Sequence, residues 1–320
     1  MSESSALSSQ IAPVAGDTAW VFAGQGSQVS GMGRDIYEEF CQTRALFESQ
    51  AAGFDLKELC FTAPAEKLGD TRYTQASMAV FAAAVIRVLR DNNKDCGAAF
   101  GLSLGEYCAL HAAGVFDVET LLSLLGFRGA IMAEASALPS RMTAIIGLSD
   151  SEVESAVTYI ANMTGKIVSC TNYNCPGQVA IGGEQEAVEA AEQLLKKSGA
   201  RRCLPLKTSG PFHTPLMDTC AELLATRLTD TPLHPQRVPV IFNATAAPAP
   251  DTMIRTLLAR QIASPVRFTQ SVRALEAAGI RSVIEIGPGR TLAGLIKKTA
   301  PDIKVVSIET AQDLKEVIAS

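Results

Sequence analysis

The stretch AAFGLSLGEYCAL, residues 98–110 of this 320-residue chain, places one serine between two glycines directly after a small apolar run. A small apolar run ends at Phe100, glycines at positions 101 and 105 flank Ser103, and good helix formers follow. This is the G-x-S-x-G pattern of a nucleophile elbow, in which a strand turns sharply into a helix and exposes the serine hydroxyl. The glycines remove Cβ atoms where the turn is crowded. The pattern also occurs by chance, so the pentapeptide alone does not separate catalysis from coincidence.

Strand and helix patterns alternate on both sides of this elbow. An apolar strand at 19–23 leads into a glycine-rich turn, and helical patterns follow at 36–52, 75–91 and 118–137. The β-branched runs VPVIFNATA and RSVIEIGPG predict further strands late in the chain. This alternation predicts an α/β fold with a mostly parallel sheet covered on both faces.

The middle of the chain has a different order of elements. Strand patterns at 141–147, 167–171, 179–182 and 201–206 alternate with helical patterns at 150–163 and 184–198. This β-α-β-β-α-β order is that of a ferredoxin-like unit. We therefore predict a disordered tail at 1–17, a larger domain at 18–140 and 208–320, and an inserted ferredoxin-like subdomain at 141–207.

The charge and hydropathy of the chain argue against two classes of partner. The formal net charge is −5 with both signs mixed along the chain, whereas nucleic-acid binding requires a broad basic surface. The most apolar window, residues 78–89, is shorter than the roughly 20 residues that span a bilayer, and it contains Arg87. We therefore interpret this window as a buried helix and expect neither nucleic acid nor a membrane as partner.

The cysteines and the first residues indicate the compartment. Eight cysteines are scattered without a C-x-x-C pair or a metal-type cluster with histidine, which predicts a reducing environment and no metal site. Residues 1–17, MSESSALSSQIAPVAGD, lack the basic and apolar regions of a secretory signal and the arginines of a mitochondrial presequence. We therefore expect a cytoplasmic protein.

A serine nucleophile needs a base, and the chain has only three histidines. His111 lies two turns along the same predicted helix as Ser103 and cannot fold back onto it, and His234 lies between prolines in a predicted surface connection. His213 lies in a proline-bounded loop where the chain returns to the larger domain, so we predict that it is the base. Asp218 is the nearest acid to orient it, and a main-chain carbonyl can do the same, so a dyad and a triad both stay open.

Seven motifs occur in one order: FAGQGSQ, GLSLGEY, RGAIM, NYNCPGQVAIGG, SGPFHTPLM, RQIASPVRF and IEIGPG. From residue 20 onward the chain resembles the malonyl-CoA:acyl-carrier-protein transacylases of fatty-acid synthesis and the acyltransferase domains of polyketide synthases. The resemblance implies an α/β-hydrolase-like catalytic core with a ferredoxin-like insertion. It also implies malonyl transfer from malonyl-CoA to the phosphopantetheine thiol of acyl carrier protein through a seryl acyl-enzyme, with no cofactor beyond these substrates.

The resemblance assigns the catalytic residues by position. Ser103 matches the nucleophile, and His213 matches the general base and acid. Gln25 and Leu104 match the residues whose main-chain amides form the oxyanion hole. Gln261 matches the position whose backbone carbonyl orients the imidazole, which accounts for the missing acid.

The resemblance also assigns the substrate-binding residues. Arg128 matches the arginine that holds the malonyl carboxylate, a task suited to its bidentate fork, and Met132 belongs to the same motif. Asn172 and Asn174 match polar positions that line the cleft between subdomains. Phe212 resembles the malonyl-selecting form of its motif, because a bulky aromatic ring crowds the extra methyl group of methylmalonyl.

The sequence departs from the family pattern at two positions. Leu102 stands where histidine is common, and Ala23 stands where proline is common. Because Leu102 precedes the nucleophile and is not the base, we expect a local effect on packing or on the lifetime of the acyl ester.

A carrier protein is acidic as a class, so docking on this chain requires a local basic patch. The candidates are Lys196, Lys197, Arg201, Arg202, Lys297 and Lys298. We expect the chain to act as a monomer.

Three other hypotheses remain at this stage. A freestanding acyltransferase that loads the carriers of a polyketide synthase shares the same chemistry. A serine acyl hydrolase uses the same elbow, but an editing hydrolase for ordinary acyl chains has no need of a buried arginine such as Arg128. In a noncatalytic carrier-binding module, Ser103 and His213 would have no catalytic role. Labelling with a serine-directed fluorophosphonate tests this hypothesis, because absence of labelling favours the binding module.

Overall fold

The computed structural model describes residues 16–135, 139–208 and 210–320, and two separate β-sheets run through them. The strands of these ranges are β1 (Thr18–Phe22), β2 (Ala98–Gly101), β3 (Ser140–Ile146), β4 (Val168–Cys175), β5 (Gln178–Glu184), β6 (Arg202–Pro205), β7 (Val240–Ile241), β8 (Ser282–Ile286) and β9 (Lys304–Ile308). Five strands form a parallel sheet in the order β7-β2-β1-β8-β9, and four form an antiparallel sheet in the order β4-β5-β3-β6.

Helices connect these strands. The α-helices of the described ranges are α1 (Arg34–Glu39), α2 (Arg44–Phe47), α3 (Leu56–Phe61), α4 (Ala65–Gly69), α5 (Thr71–Asp91), α6 (Gly105–Ala112), α7 (Val118–Glu134), α8 (Asp150–Thr164), α9 (Gln185–Lys197), α10 (Asp218–Thr229), α11 (Ile254–Gln261), α12 (Phe268–Ala277), α13 (Thr291–Thr299) and α14 (Ala311–Ala319). Over the residues that the structure describes, none of the helices has both the length and the apolar character needed to cross a bilayer.

The central strand β1 shows why the parallel sheet is buried on both faces. Successive side chains of a strand point to opposite faces. Trp20 and Phe22 pack in the hydrophobic core on one face, and Ala19 and Val21 pack in a second core on the other. All four are fully buried, which is the burial expected for a parallel strand covered by helices on both sides.

The antiparallel sheet is built from one continuous stretch of chain. Its elements follow the order β3, α8, β4, β5, α9, β6, and its own core lies between the sheet and helices α8 and α9. A parallel bridge between Asn172 on β4 and Val266 links it to the larger part of the molecule, and helices α12 and α13 also pack against β4. The predicted α/β class, with a mostly parallel sheet and an inserted ferredoxin-like unit, is confirmed. The proposed domain boundaries at 140/141 and 207/208 stay a prediction.

Some sequence-predicted elements have different limits in the structure. The helical pattern at 36–52 is broken at Phe40, whose extended backbone separates α1 from a short 3-10 turn and α2. The buried Thr43 hydroxyl bonds the carbonyls of Ile36 and Phe40, and such a bond competes with continuation of a helix. Helix α5 begins four residues before the predicted 75, because the Asp70 side chain caps it.

Two predictions fall on residues outside this description. The predicted disordered tail, residues 1–17, lies outside the described residues except for the last two. The predicted end of the helix at 118–137 also lies outside them, and the described α7 ends at Glu134.

Candidate active site

The G-x-S-x-G segment forms a sharp turn between β2 and α6. Ser103 has a φ of 56°, a left-handed conformation that is uncommon for a residue with a side chain. A Cβ at Gly101 would lie 2.2 Å from the carbonyl carbon of Gly105, and one at Gly105 would lie 2.3 Å from the Phe22 oxygen. Only glycine therefore fits at these two positions, and the turn lifts Ser103 to the carboxyl end of the parallel sheet.

The histidine ring of His213 lies directly on the serine. His213 Nε2 is 2.8 Å from Ser103 Oγ, and Nδ1 is 3.0 Å from the Gln261 carbonyl and 3.1 Å from the Ser264 carbonyl. Because a carbonyl only accepts hydrogen bonds, these contacts assign the proton to Nδ1 and leave the Nε2 lone pair for the serine hydroxyl. Asp218 is exposed at the start of α10, and among the described residues no carboxylate bonds the ring.

Burial sets the protonation state of His213. The side chain is 4% exposed, and burial, followed by the nearby charge of Arg128, lowers the pKa of His213 to about 4. The two carbonyls oppose this shift more weakly. The imidazole is therefore neutral at neutral pH, as a general base must be.

Two main-chain amides near the serine have no acceptor in the part of the chain that the structure describes. The amides of Gln25 and Leu104 make no hydrogen bond among the described residues. The Gln25 side chain is fixed instead by donation from Nε2 to Thr71 Oγ1 at 2.8 Å. Free main-chain donors beside a nucleophile can bind a developing oxyanion.

Arg128 is the largest charged side chain that the structure buries completely. It is 0% exposed, and its Nη2 lies 3.3 Å from Ser103 Oγ. Nη1 donates to Gln75 Oε1 at 2.6 Å and Nη2 donates to Gln261 Oε1 at 2.9 Å, so neutral amide oxygens orient the guanidinium. Within the described ranges no carboxylate lies within ion-pair distance of Arg128, and its Nε has no hydrogen-bond partner. The guanidinium therefore lies beside Ser103 with no carboxylate partner among the described residues.

Glu106 is a second fully buried titratable group near the serine. Burial raises the pKa of Glu106 to about 8, and the Asn243 amide, the Gln261 side chain and the charge of Arg128 only partly offset it. The carboxyl is therefore mainly protonated at pH 7 and does not neutralise Arg128.

A cleft of about 320 Å³ opens over the serine between the two sheets. The predicted residues that line it are Gln25, Ser103, Met132, Asn172, Asn174, Phe212 and His213. Apolar side chains, including Met142 and Leu206, form much of the remaining wall. Leu104, Arg128 and Gln261 do not line the cleft and lie beneath its floor.

The two departures from the family pattern also lie at the cleft wall. Leu102 is partly buried against the core that contains Phe100, and a Cβ at Gly24 would lie 2.5 Å from its Cδ2. Ala23 lies on the same wall. The leucine therefore packs tightly between the elbow and the loop after β1.

Four residues of this network were missed by the sequence reasoning: Gln75, Glu106, Asn243 and Ser264. Glu106 stands inside the GLSLGEY motif, Ser264 inside RQIASPVRF, and Asn243 directly follows the β7 run, so each had a positional signal. For Gln75 the only signal was an amide side chain at the start of the apolar part of a helix.

The six candidate docking residues are all exposed and form two groups along the sequence, 196–202 and 297–298. Lys196 lies 3.9 Å from Glu192 and is partly neutralised by it. Arg201 and Lys298 come from different parts of the chain and line one groove. Gln178 lines both this groove and the cleft, so the groove adjoins the mouth of the cleft.

The elbow, the neutral histidine and the free amides are the parts of a serine acyltransferase, and comparison with known proteins gives the family. The chain belongs to the acyl transferase domain family, whose model matches residues 19–316. It is 36% identical over 304 residues to the malonyl CoA-acyl carrier protein transacylase of Bacillus subtilis strain 168, covering 94% of this chain and 96% of that relative. The resemblance seen in the sequence is confirmed, and the chain is an acyltransferase enzyme.

Solved structures have the same fold. An acyl carrier protein S-malonyltransferase from Vibrio cholerae superposes with a TM-score of 0.91 at 37% identity, covering 94% of this chain and all of that one. A malonyl-transacylase solved in complex with a type II PKS acyl-carrier protein superposes with a TM-score of 0.91 at 36% identity, covering 95% of this chain and 99% of that one.

Proposed function

We propose that this enzyme transfers a malonyl group from malonyl-CoA to the phosphopantetheine thiol of acyl carrier protein and so supplies fatty-acid synthesis. The unpaired charge of buried Arg128, 3.3 Å from Ser103 Oγ, carries the proposal. The free carboxylate of a malonyl ester lies two bonds beyond the ester carbonyl, within reach of this guanidinium. An acetyl or longer fatty acyl group leaves the buried charge unpaired, which is unfavourable.

In the first half of the reaction Ser103 takes the malonyl group. Its Oγ attacks the thioester carbonyl while His213 Nε2 accepts the hydroxyl proton. The amides of Gln25 and Leu104 donate to the resulting oxyanion. The C–S bond then breaks, and His213 returns the proton to the leaving sulfur of coenzyme A.

In the second half the carrier thiol replaces coenzyme A. His213 accepts the thiol proton as the sulfur attacks the ester carbonyl, and it returns that proton to Ser103 Oγ when the ester bond breaks. Arg128 holds the malonyl carboxylate throughout, with Met132 and Phe212 as the apolar wall and Asn172 and Asn174 as polar contacts to the pantetheine arm. These groups account for every proton and bond, so the proposal needs no cofactor.

We further propose that the reaction takes place in the cytoplasm and that the active form is a monomer. All eight cysteines lie within the described ranges as free thiols, which fits the cytoplasm. Every group of the site comes from one chain, so we propose a monomer as the active form.

The experiment that tests the function is intact-protein mass spectrometry after brief exposure to malonyl-CoA or acetyl-CoA. We expect a malonyl adduct that Ser103→Ala abolishes, that Arg128→Ala strongly reduces, and that acyl carrier protein discharges. Acetyl-CoA gives little adduct. Equal loading of acetyl and malonyl groups contradicts the role of Arg128, and discharge by water at the same rate as by carrier favours an acyl hydrolase.

Two carriers separate fatty-acid from polyketide use. The relative solved with a type II PKS carrier shows that this kind of partner is the specific alternative to test. Discharge by a fatty-acid carrier with a higher kcat/KM than by a polyketide carrier supports the proposal, and the reverse order supports the alternative.

We further propose that the carrier docks on the groove of Arg201 and Lys298. Its position at the mouth of the cleft and its positive charge suit an acidic carrier. Charge reversal in Arg201→Glu and Lys298→Glu raises the KM for carrier and leaves the KM for malonyl-CoA within a few-fold. Lys304→Glu is the charge-matched control, since this exposed lysine at the start of β9 is not among the residues that line the groove. An unchanged KM for carrier in the groove variants contradicts the assignment.

A further inference from the structure

The left-handed turn at Ser103 requires support from outside the G-x-S-x-G segment. A strained backbone conformation persists only where the surrounding structure over-determines it. Gln261 Nε2 donates to the Ser103 carbonyl at 2.9 Å, which fixes one side of the residue. The Ser103 amide, on the other side, needs an acceptor of its own.

Asn243 provides that acceptor and also holds the strand before the turn. Its Oδ1 accepts the Ser103 N–H at 2.8 Å, and its Nδ2 donates to the Gly101 carbonyl at 2.7 Å. One side-chain amide, 2% exposed, thus joins the two main-chain groups on either side of the turn. The direction of Ser103 Oγ depends on both groups.

Glu106 fixes Asn243 in turn. The Asn243 N–H donates to Glu106 Oε2, and the Asn243 carbonyl accepts from the Arg267 amide at 3.0 Å. Glu106 lies in the first turn of α6, so the helix that follows the serine also determines where the asparagine stands. Neither Asn243 nor Glu106 is among the residues that line the cleft, so neither is placed to touch an acyl group.

We propose that Asn243 and Glu106 are positioning residues, and that together they hold the elbow so that Ser103 Oγ stays on His213 Nε2. The inference rests on the proposed function only in that Ser103 is the nucleophile. The Glu106 contribution is the hydrogen bond it accepts, not a negative charge.

The primary test compares Asn243→Ala with the wild type by the rate of phosphonylation of Ser103 and by the kcat and KM of malonyl transfer. A fluorophosphonate measures the reactivity of Ser103 without malonyl-CoA, and steady-state transfer gives kcat and KM. We expect phosphonylation and kcat to fall about 10²-fold, as for a misplaced reacting group, with KM changed by less than about 3-fold. A purely structural role lowers these rates only in proportion to the folded fraction, which urea unfolding measures.

The Glu106 pair tests the hydrogen bond separately. Glu106→Leu removes the acceptor at similar size, and we expect phosphonylation to slow roughly 10-fold. Glu106→Gln keeps an acceptor oxygen and should restore most of the lost rate.

Asn92→Ala is the matched control for Asn243→Ala, because the Asn92 side-chain amide also donates to a main-chain carbonyl, that of Val88 at 2.8 Å, at the far end of α5. We expect its rates to equal those of the wild type.

Two results overturn the inference. One is folded Asn243→Ala that reacts with the fluorophosphonate within about 3-fold of the wild-type rate. The other is failure of Glu106→Gln to recover the rate lost in Glu106→Leu, which removes Glu106 from the pair. If Asn243→Ala does not fold, Asn243→Asp replaces it, since it keeps Oδ1 and puts a carboxylate oxygen in place of the donor to Gly101; a loss of roughly 10-fold or more supports the inference and an unchanged rate overturns it. Wild-type protein that reacts with the probe but takes no malonyl group overturns the proposed function alone.

Discussion

Two ends of the site are built from different kinds of atoms. The reaction end is Ser103, His213 and the carbonyls of Gln261 and Ser264; the recognition end is Arg128 with the side-chain amides of Gln75 and Gln261. At the reaction end main-chain groups fix a neutral imidazole. At the recognition end neutral side chains orient a cation without cancelling its charge. The protein therefore satisfies the geometry of both groups but leaves the charge of Arg128 available for a ligand.

The largest expected effect breaks the reaction end. His213→Ala removes the base, and we expect both malonyl loading and phosphonylation of Ser103 to fall about 10³-fold, the range of general base catalysis. The binding of malonyl-CoA should change little, because Arg128 remains. Rapid-quench loading and fluorophosphonate labelling measure the two rates.

The matched control for that variant is His234→Ala. His234 is exposed in a loop, so its removal should leave both rates unchanged. If His213→Ala keeps a phosphonylation rate close to that of His234→Ala, the base lies elsewhere.

The next largest effect breaks the recognition end alone. Gln75→Glu replaces the amide oxygen that accepts from Arg128 with a carboxylate, which pairs the guanidinium internally. We expect malonyl loading to fall roughly 10²-fold, while phosphonylation of Ser103 stays within about 3-fold of the wild type.

Gln75→Met distinguishes the added negative charge of Gln75→Glu from the loss of the hydrogen bond between Gln75 and Arg128. It removes the amide without adding a carboxylate, so we expect a roughly 10-fold loss, that of one hydrogen bond to a charged group. If the two variants lose malonyl loading equally, pairing of the Arg128 charge is not the cause of the effect.

The sequence alone predicted the reaction end of the site and the two sheets. Ser103 lies in a local motif whose glycines are required by the turn, and His213 followed from elimination among three histidines. The parallel and antiparallel sheets followed from the order of strand and helix patterns. The structure brings the side chains of Ser103 and His213 together, and their catalytic roles stay predictions until rates are measured.

The rest depended on packing between distant segments. Gln75 reaches Arg128 because α5 packs along α7, and Asn243 reaches Ser103 because β7 pairs with β2. Neither pairing is encoded near the residue concerned. The resemblance pointed to the main chain of Gln261, whereas its side chain also joins Ser103 to Arg128. Side-chain contacts across the fold are therefore the part that pattern reasoning could not supply.

A smaller effect is expected on the selection between malonyl-CoA and methylmalonyl-CoA. Phe212 lines the cleft beside His213 and is 6% exposed. In Phe212→Leu we expect the ratio of kcat/KM for methylmalonyl-CoA to that for malonyl-CoA to rise about 10-fold, since a pocket wall discriminates one methyl group by this order. If both rates fall and the ratio is unchanged, Phe212 has only a packing role.

The last prediction concerns the pH dependence of stability, which His213 at the reaction end and Glu106 beside both ends change in opposite directions. His213 has a pKa lowered from 6.5 to about 4 in the folded state, so its contribution is present above pH 6.5 and is lost as the pH falls towards 4. Glu106 has a pKa raised from 4.5 to about 8, so its contribution is present below pH 4.5 and is lost as the pH rises through 8. The two slopes oppose each other between pH 4.5 and 6.5, and only that of Glu106 remains above it.

Urea unfolding at pH 6.5 and pH 8 measures this remaining slope. At about 1.4 kcal/mol per pH unit, the wild type should lose about 2 kcal/mol over the interval, and Glu106→Gln, which cannot ionise, should lose much less. Equal changes in the two proteins would mean that Glu106 is already ionised at pH 6.5 in the folded state. The charge of Arg128 would then be balanced inside the protein, and the reason for a substrate that carries a carboxylate would disappear.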